Sequence, residues 1–177
     1  NSKKEEYHLN NYRTLDIQRE FDWNHTSAAH LSKRILIGSS LSDINNLVEL
    51  GMNSSLDQIL SDEELPSPPA NWVHEEIPDW GSLTSDERSA IIQTYHNRMR
   101  TLQKWWANRL MNSTLNITEI MTLFWHNYFA SAYSKVFYPQ AMYQQNFIFR
   151  SHCMSNFRDL IRNVTFGPAM LIWLDIS

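Results

Sequence analysis

From residue 26 onward, apolar side chains return every three or four positions, and the runs lie between hydroxyl or amide caps and glycine or proline breaks. That spacing is the signature of amphipathic helices. Thr26 and Ser27 suit a helix start, and the segment Ala28 to Leu36 continues to a stop at Gly38. Ser42 and Asp43 are placed to cap a second short helix through Leu47, Val48 and Leu50, which Gly51 ends. Ser55 begins a third, with Leu56, Ile59 and Leu60 on one stripe. The three read as one packed unit.

The period breaks between Ser61 and Leu83, which hold Pro66, Pro68, Pro69 and Pro78. Proline lacks the amide donor and the backbone freedom of a helix interior, so 61–83 is expected to be an extended strap, pinned to the helices by Trp72 and Trp80. Thr84 or Ser85 then caps the longest helix, running to about Met111. Ile91, Tyr95, Met99, Leu102, Trp106 and Leu110 form its apolar stripe, and Gln93, Asn97, Arg100, Lys104 and Asn108 its wet face. Asn116 and Glu119 have capping-box spacing ahead of Ile117–Ala130, whose apolar groups lie all round, the mark of a central buried helix. Pro139 opens a helix to about Met154. Asn156 caps Phe157–Val164, and Ala169–Leu174 reads as a last buried helix. The expected fold class is all-α: an irregular multi-helix array around the central Met121–Ala130 helix, crossed by a proline-rich acidic strap. Residues 1–25 read as a polar N-terminal arm, with the helical region at 26–177.

Composition narrows this picture. With 177 residues and 42% hydrophobic content, the chain is long enough for a substantial core, and no stretch approaches the ~20 apolar residues of a spanning helix. A single cysteine, Cys153, excludes an internal disulfide framework and a multi-cysteine zinc site. The net charge of −4 divides into −9 over residues 1–88 and +5 over 89–177. The basic residues of the second half are spread along helices, so the acidic half is expected to pack against the basic half, and nucleic acid binding is not expected.

Phosphate loops, dinucleotide fingerprints, zinc-protease helices, nucleophile elbows and calcium loops are missing from the sequence. The candidate chemistry rests on scattered residues. His126 shares a helix face with Leu123 and Ala130, beside Trp125 and Asn127. A buried imidazole is either a hydrogen-bonded core group or a ligand or proton-transfer group, and both readings stay open. His30 and Arg34, four apart on one helix face, could hold a carboxylate or phosphate, or pair with acids of the first half. His30, His126, His152 and Asp159 could bind a metal only if the fold gathered them, so no metal site is assigned and cofactors stay unassigned. Cys153 is expected to be a buried, inert thiol.

Met121-Thr122-Leu123-Phe124-Trp125-His126-Asn127-Tyr128-Phe129-Ala130 resembles the most recognisable helix of the bacterial domain-of-unknown-function family 1800. Further segments resemble the family in the same order: Met142–Asn146 with Arg150, Asn156–Leu160, Pro168–Leu171 with Leu174 and Asp175, and near the start Ala29–Arg34. Gly38-Ser39-Ser40 departs from the family's glycine–phenylalanine–glycine turn. The resemblance spans residues 27–176. It implies a largely helical, exported protein whose family domain continues into a second half, so that this chain corresponds to the N-terminal half. It also implies a protein partner, either that second half or an exported protein similar to alkaline phosphatases and sulfatases. No reaction comes with it.

Two functional readings follow. In the preferred one, the protein is an exported helical component of a cell-surface or periplasmic assembly. In the other it is an exported enzyme, such as a metal-assisted hydrolase, with His126 as base or ligand helped by His30 and Arg34. Arg150, Asp159 and Asn127 are then the candidate ligand-binding residues.

Overall fold

The computed structural model describes residues 22–113 and 115–176, and among these the protein is all-α, with no strand. The first 21 residues of the expected N-terminal arm lie outside the described residues. Three short helices come first: α1 (His25–Ile35), α2 (Leu41–Leu50) and α3 (Met52–Leu60). Asn24 caps α1, accepting from the amides of Thr26 and Ser27 while Ser27 returns a bond to the Asn24 amide, so the helix begins just before the expected Thr26–Ser27 start. Ser40, two residues ahead of the expected cap, closes a capping box with Asp43 at α2. The expected stop at Gly38 does not form: α1 ends at Ile35 with Leu36 already extended. Gly51 does break the chain, and its φ of 80° lets one residue end α2 and start α3. Ser55 is not a helix start; it sits inside α3, fully buried, and its hydroxyl donates to the Leu47 carbonyl.

Ala28, Leu36, Leu47 and Ile59 form the core of this small unit, and Leu115 from beyond the long helix is buried with them. Two backbone-level links fasten the unit to the rest. The Ile117 amide donates to the Ile59 carbonyl, and Asn116 Nδ2 donates to the Ser61 carbonyl at 2.7 Å.

The strap is extended apart from a short 3-10 turn at Asn71–His74 and a tight turn at 80–82, where the Ser82 amide donates to the Asp79 carbonyl. It is held more deeply than a surface pin: Trp72 and Val73 are buried with Leu102, Val136, Ala141, Met142, Tyr143 and Ala169. Trp80 packs on Tyr95 and Phe137. Its acids meet the long helix α4 (Ser85–Met111) through Glu75–Arg98 and Glu63–Arg109, which is the expected acidic-to-basic packing.

Five helices complete the fold: α5 (Thr118–Tyr128), α6 (Tyr133–Val136), α7 (Pro139–Ser151), α8 (Phe157–Thr165) and α9 (Pro168–Trp173). The innermost of them is α7, not the Met121–Ala130 segment. It packs against α4, α5, α6, α8, α9 and the turn of the strap. Its Gln140, Ala141, Met142, Tyr143, Gln145, Asn146, Phe149 and Arg150 are all buried. One side of α5 instead remains in water, with Phe124, Asn127 and Tyr128 exposed. Hydropathy ranks these two helices the wrong way round, because Arg150 and Gln145 can be central where Glu119, Ser131 and the Phe129 carbonyl meet their hydrogen bonds.

Candidate functional site

One face of α5 presents Glu119, Thr122 and His126; one face of α7 presents Asn146, Phe149 and Arg150. Where the two helices pack, and where α4 adds Trp106 and Arg109, the buried polar groups of the molecule converge. Glu119 is 2% exposed. Its Oε1 accepts from Arg150 Nη1 at 2.6 Å and Arg109 Nε at 2.8 Å, and its Oε2 accepts from Arg150 Nη2 at 2.9 Å and Trp106 Nε1 at 3.2 Å. Arg109 continues to Glu63 of the strap at 3.1 Å. Two carboxylates and two guanidinium groups thus balance in charge. Burial pushes the Glu119 carboxyl up, but the hydrogen bonds and charges of Arg150 and Arg109 outweigh it and hold the group below its ordinary value.

His126 lies two turns further along α5. Its ring packs on Trp106 at 4.5 Å between centroids and meets the edge of Phe149 at 4.7 Å. Asn146 Nδ2 is 3.1 Å from Nε2. A neutral imidazole accepts there with its proton on Nδ1. Burial, and then the charge of Arg150, push the imidazole down from 6.5 to about 4, so it is neutral at pH 7. A neutral histidine is a competent base or ligand in principle, but here its ring is held by packing between Trp106 and Phe149.

Two hollows flank this centre. One, of about 380 Å³, is lined by His126, Asn127, Trp106 and Asn146 together with apolar groups of α4, α5 and α7. The other, of about 290 Å³, lies between Asp62–Leu65 of the strap and Arg150, Cys153 and Thr118. Cys153 is half-buried, and burial pushes its thiol up, so it is protonated at neutral pH.

Of the residues singled out by sequence, His126, Asn127 and Arg150 come together here. Arg150 is engaged by Glu119 and is 3% exposed. His30 and Arg34 do not join them: both are exposed on α1, and among the described residues neither makes a side-chain hydrogen bond or ion pair. Asp159 is exposed on α8, and among the described residues its carboxylate makes no hydrogen bond or ion pair. His152 bonds Ser155 after α7 has ended. Among the described residues no group of three His, Cys, Asp or Glu side chains is placed to hold a metal.

Sequence reasoning missed Glu119, Asn146, Trp106 and Arg109. Glu119 was readable as half of a capping box with Asn116, but that box does not form: Ile117 stands at the N-cap of α5, and Asn116, one residue earlier, accepts from the Thr118 amide at 2.8 Å. The available signal was a lone acid in an apolar helix and a lone arginine in the next long one, which is how a buried ion pair looks in sequence.

A family model described as "Protein of unknown function (DUF1800)" matches residues 30–177. No curated protein and no solved structure matches the chain.

Proposed function

The chain belongs to the DUF1800 family, and from that premise we propose that it works as a binding and assembly component of an exported, cell-surface or periplasmic complex. The observation that carries this reading is an aromatic face on α5 and α8 that its own fold leaves uncovered. Phe124 is 49% exposed, Tyr128 67% and Phe157 51%. Phe124 and Tyr128 stack at 6.2 Å, and Phe157 stacks on Trp125 at 5.8 Å. On α8, Leu160 and Val164 turn inward while Phe157 and Ile161, also four apart, face water. A contiguous apolar surface of this kind marks an interaction site. The chemical groups support the same reading, because Glu119 and Arg150 consume each other's hydrogen bonds and His30 and Arg34 lie elsewhere.

The partner is a protein: the second half of the family domain, or an exported protein similar to alkaline phosphatases and sulfatases. The test is crosslinking in intact cells of the source organism, followed by fractionation and native mass spectrometry. The expected result is an envelope complex that Tyr128→Ser with Phe157→Ser dissolves without lowering the melting temperature. A monomer in the cytoplasm, or a complex indifferent to both substitutions, overturns the proposal.

The second reading, an exported enzyme, has one observation in its favour: a neutral His126 lines a cavity that solvent reaches through the exposed Asn127. Hydrolysis of model esters that is lost in His126→Gln would favour it over the first.

A further inference from the structure

The cavity between α4, α5 and α7 is built unlike the surface around it. Met99, Leu102, Leu123 and Met142 make its wall apolar, and among the described residues no Asp, Glu, Lys or Arg lines it. Trp106 lines it too, but its indole N–H is spent on Glu119, so it offers only its ring face. Of its other polar lining, Gln103 and Asn127 are exposed and Ser131 donates to Gln145, while three groups are short of partners. Asn146 is 3% exposed, gives Nδ2 to His126, and has no protein partner for Oδ1; the Tyr133 hydroxyl is likewise buried without one. His126, accepting at Nε2, is left with an Nδ1–H to give.

An apolar wall with a few convergent, unfilled hydrogen-bonding groups is the make-up of a small-molecule site. Water alone serves only the polar part of this space, because Met99, Leu102, Leu123, Met142 and the Trp106 ring return no hydrogen bond. A charged ligand fits no better, since burial in a space without a counter-charge costs several kcal/mol. The nearest cation, Arg150, already has both terminal nitrogens on Glu119.

We propose that this cavity binds an uncharged, mainly apolar organic molecule carrying a hydroxyl or amide, whose proton goes to Asn146 Oδ1 and whose oxygen accepts from His126. The site goes beyond the assembly role and does not depend on it, since the aromatic face of α5 and α8 lies on other residues.

Four probes with one common body test it: 2-naphthol, 2-methoxynaphthalene, 2-naphthoate and 2-naphthylmethylammonium, titrated into the protein and followed by amide chemical shifts. The expected result is saturable binding of 2-naphthol that moves the Asn146 and His126 signals, with the ether and both ions at least tenfold weaker. Leu123→Trp, which fills the space from a half-exposed position, is expected to abolish binding. Asn146→Leu is expected to weaken 2-naphthol to the level of the ether. Should either variant melt early, the other serves as the control. No saturable binding, equal binding of all four probes, or naphthol binding that survives in a folded Leu123→Trp would overturn the proposal.

Discussion

The α1–α3 unit and the body around α7 bury their polar residues in different ways. The small unit is apolar inside, and its two buried polar side chains, Ser32 and Ser55, are satisfied within the unit, Ser32 by the Ala29 carbonyl and by Ser39, and Ser55 by the Leu47 carbonyl. Its ionisable candidates, His30 and Arg34, stay in water. The body buries Glu119, Arg150, Gln145 and Asn146 and ties α4, α5 and α7 together through them. A short unit can be closed by a few aliphatic side chains, but several helices packed on one rod need more than shape to fix their register. A bidentate carboxylate–guanidinium pair supplies a direction, because only one alignment of α5 and α7 satisfies both groups.

The sharpest way to break that contrast is Glu119→Ala, which leaves Arg150 buried without its partner. A loss of about 3–5 kcal/mol is expected in urea unfolding. A loss under about 1 kcal/mol would mean that apolar packing alone aligns the body. Ile59→Ala is the corresponding cut in the small unit, with an expected cost of about 2–5 kcal/mol from a cavity in a fully buried site. Hydrogen exchange should then rise first in α1–α3 and leave α7 protected.

Acid separates the two buried ionisable groups. His126 titrates near 4 in the fold against 6.5 when free, so below pH 6.5 the unfolded chain binds the extra proton. Stability is therefore full above pH 6.5 and falls by roughly 2–3 kcal/mol as pH drops toward 4. Glu119, held below its ordinary value of 4.5, keeps its full contribution above that pH and loses it progressively in stronger acid. A His126→Asn variant should flatten the slope between pH 6.5 and 4; an unchanged slope would assign it elsewhere. At constant neutral pH, His126→Ala is expected to cost about 1–3 kcal/mol through the lost ring contacts and the lost Asn146 bond. His30→Ala and Arg34→Ala should change stability by no more than about 0.5 kcal/mol, the smallest effect in the set, measured by thermal melting.

The strap, the long amphipathic helix and the later caps at Thr84 and Asn156 were legible because each is a local matter, whereas α1 and α2 are capped two residues ahead of the expected positions. Asn156 caps α8, Pro139 opens α7, and the Ile91–Leu110 stripe of α4 faces inward as its spacing requires. The short helix α6 escaped notice, since four residues carry no period. The candidate site was legible in part. His126 attracted attention as a polar group in an apolar helix, and the same reasoning applied to Glu119 was cut short by its capping-box spacing.

The sequence by itself determined the helical class, most helix positions, the acidic strap and the family, because caps, breaks and periodicity act within a few residues of each other. The tertiary structure alone decided which helix is central, that Glu119 faces Arg150 across 31 residues, and that His126 shares a cavity with Asn146 instead of with His30. Such pairings depend on which faces meet after folding, and a buried charge in sequence looks like an exposed one until its partner arrives.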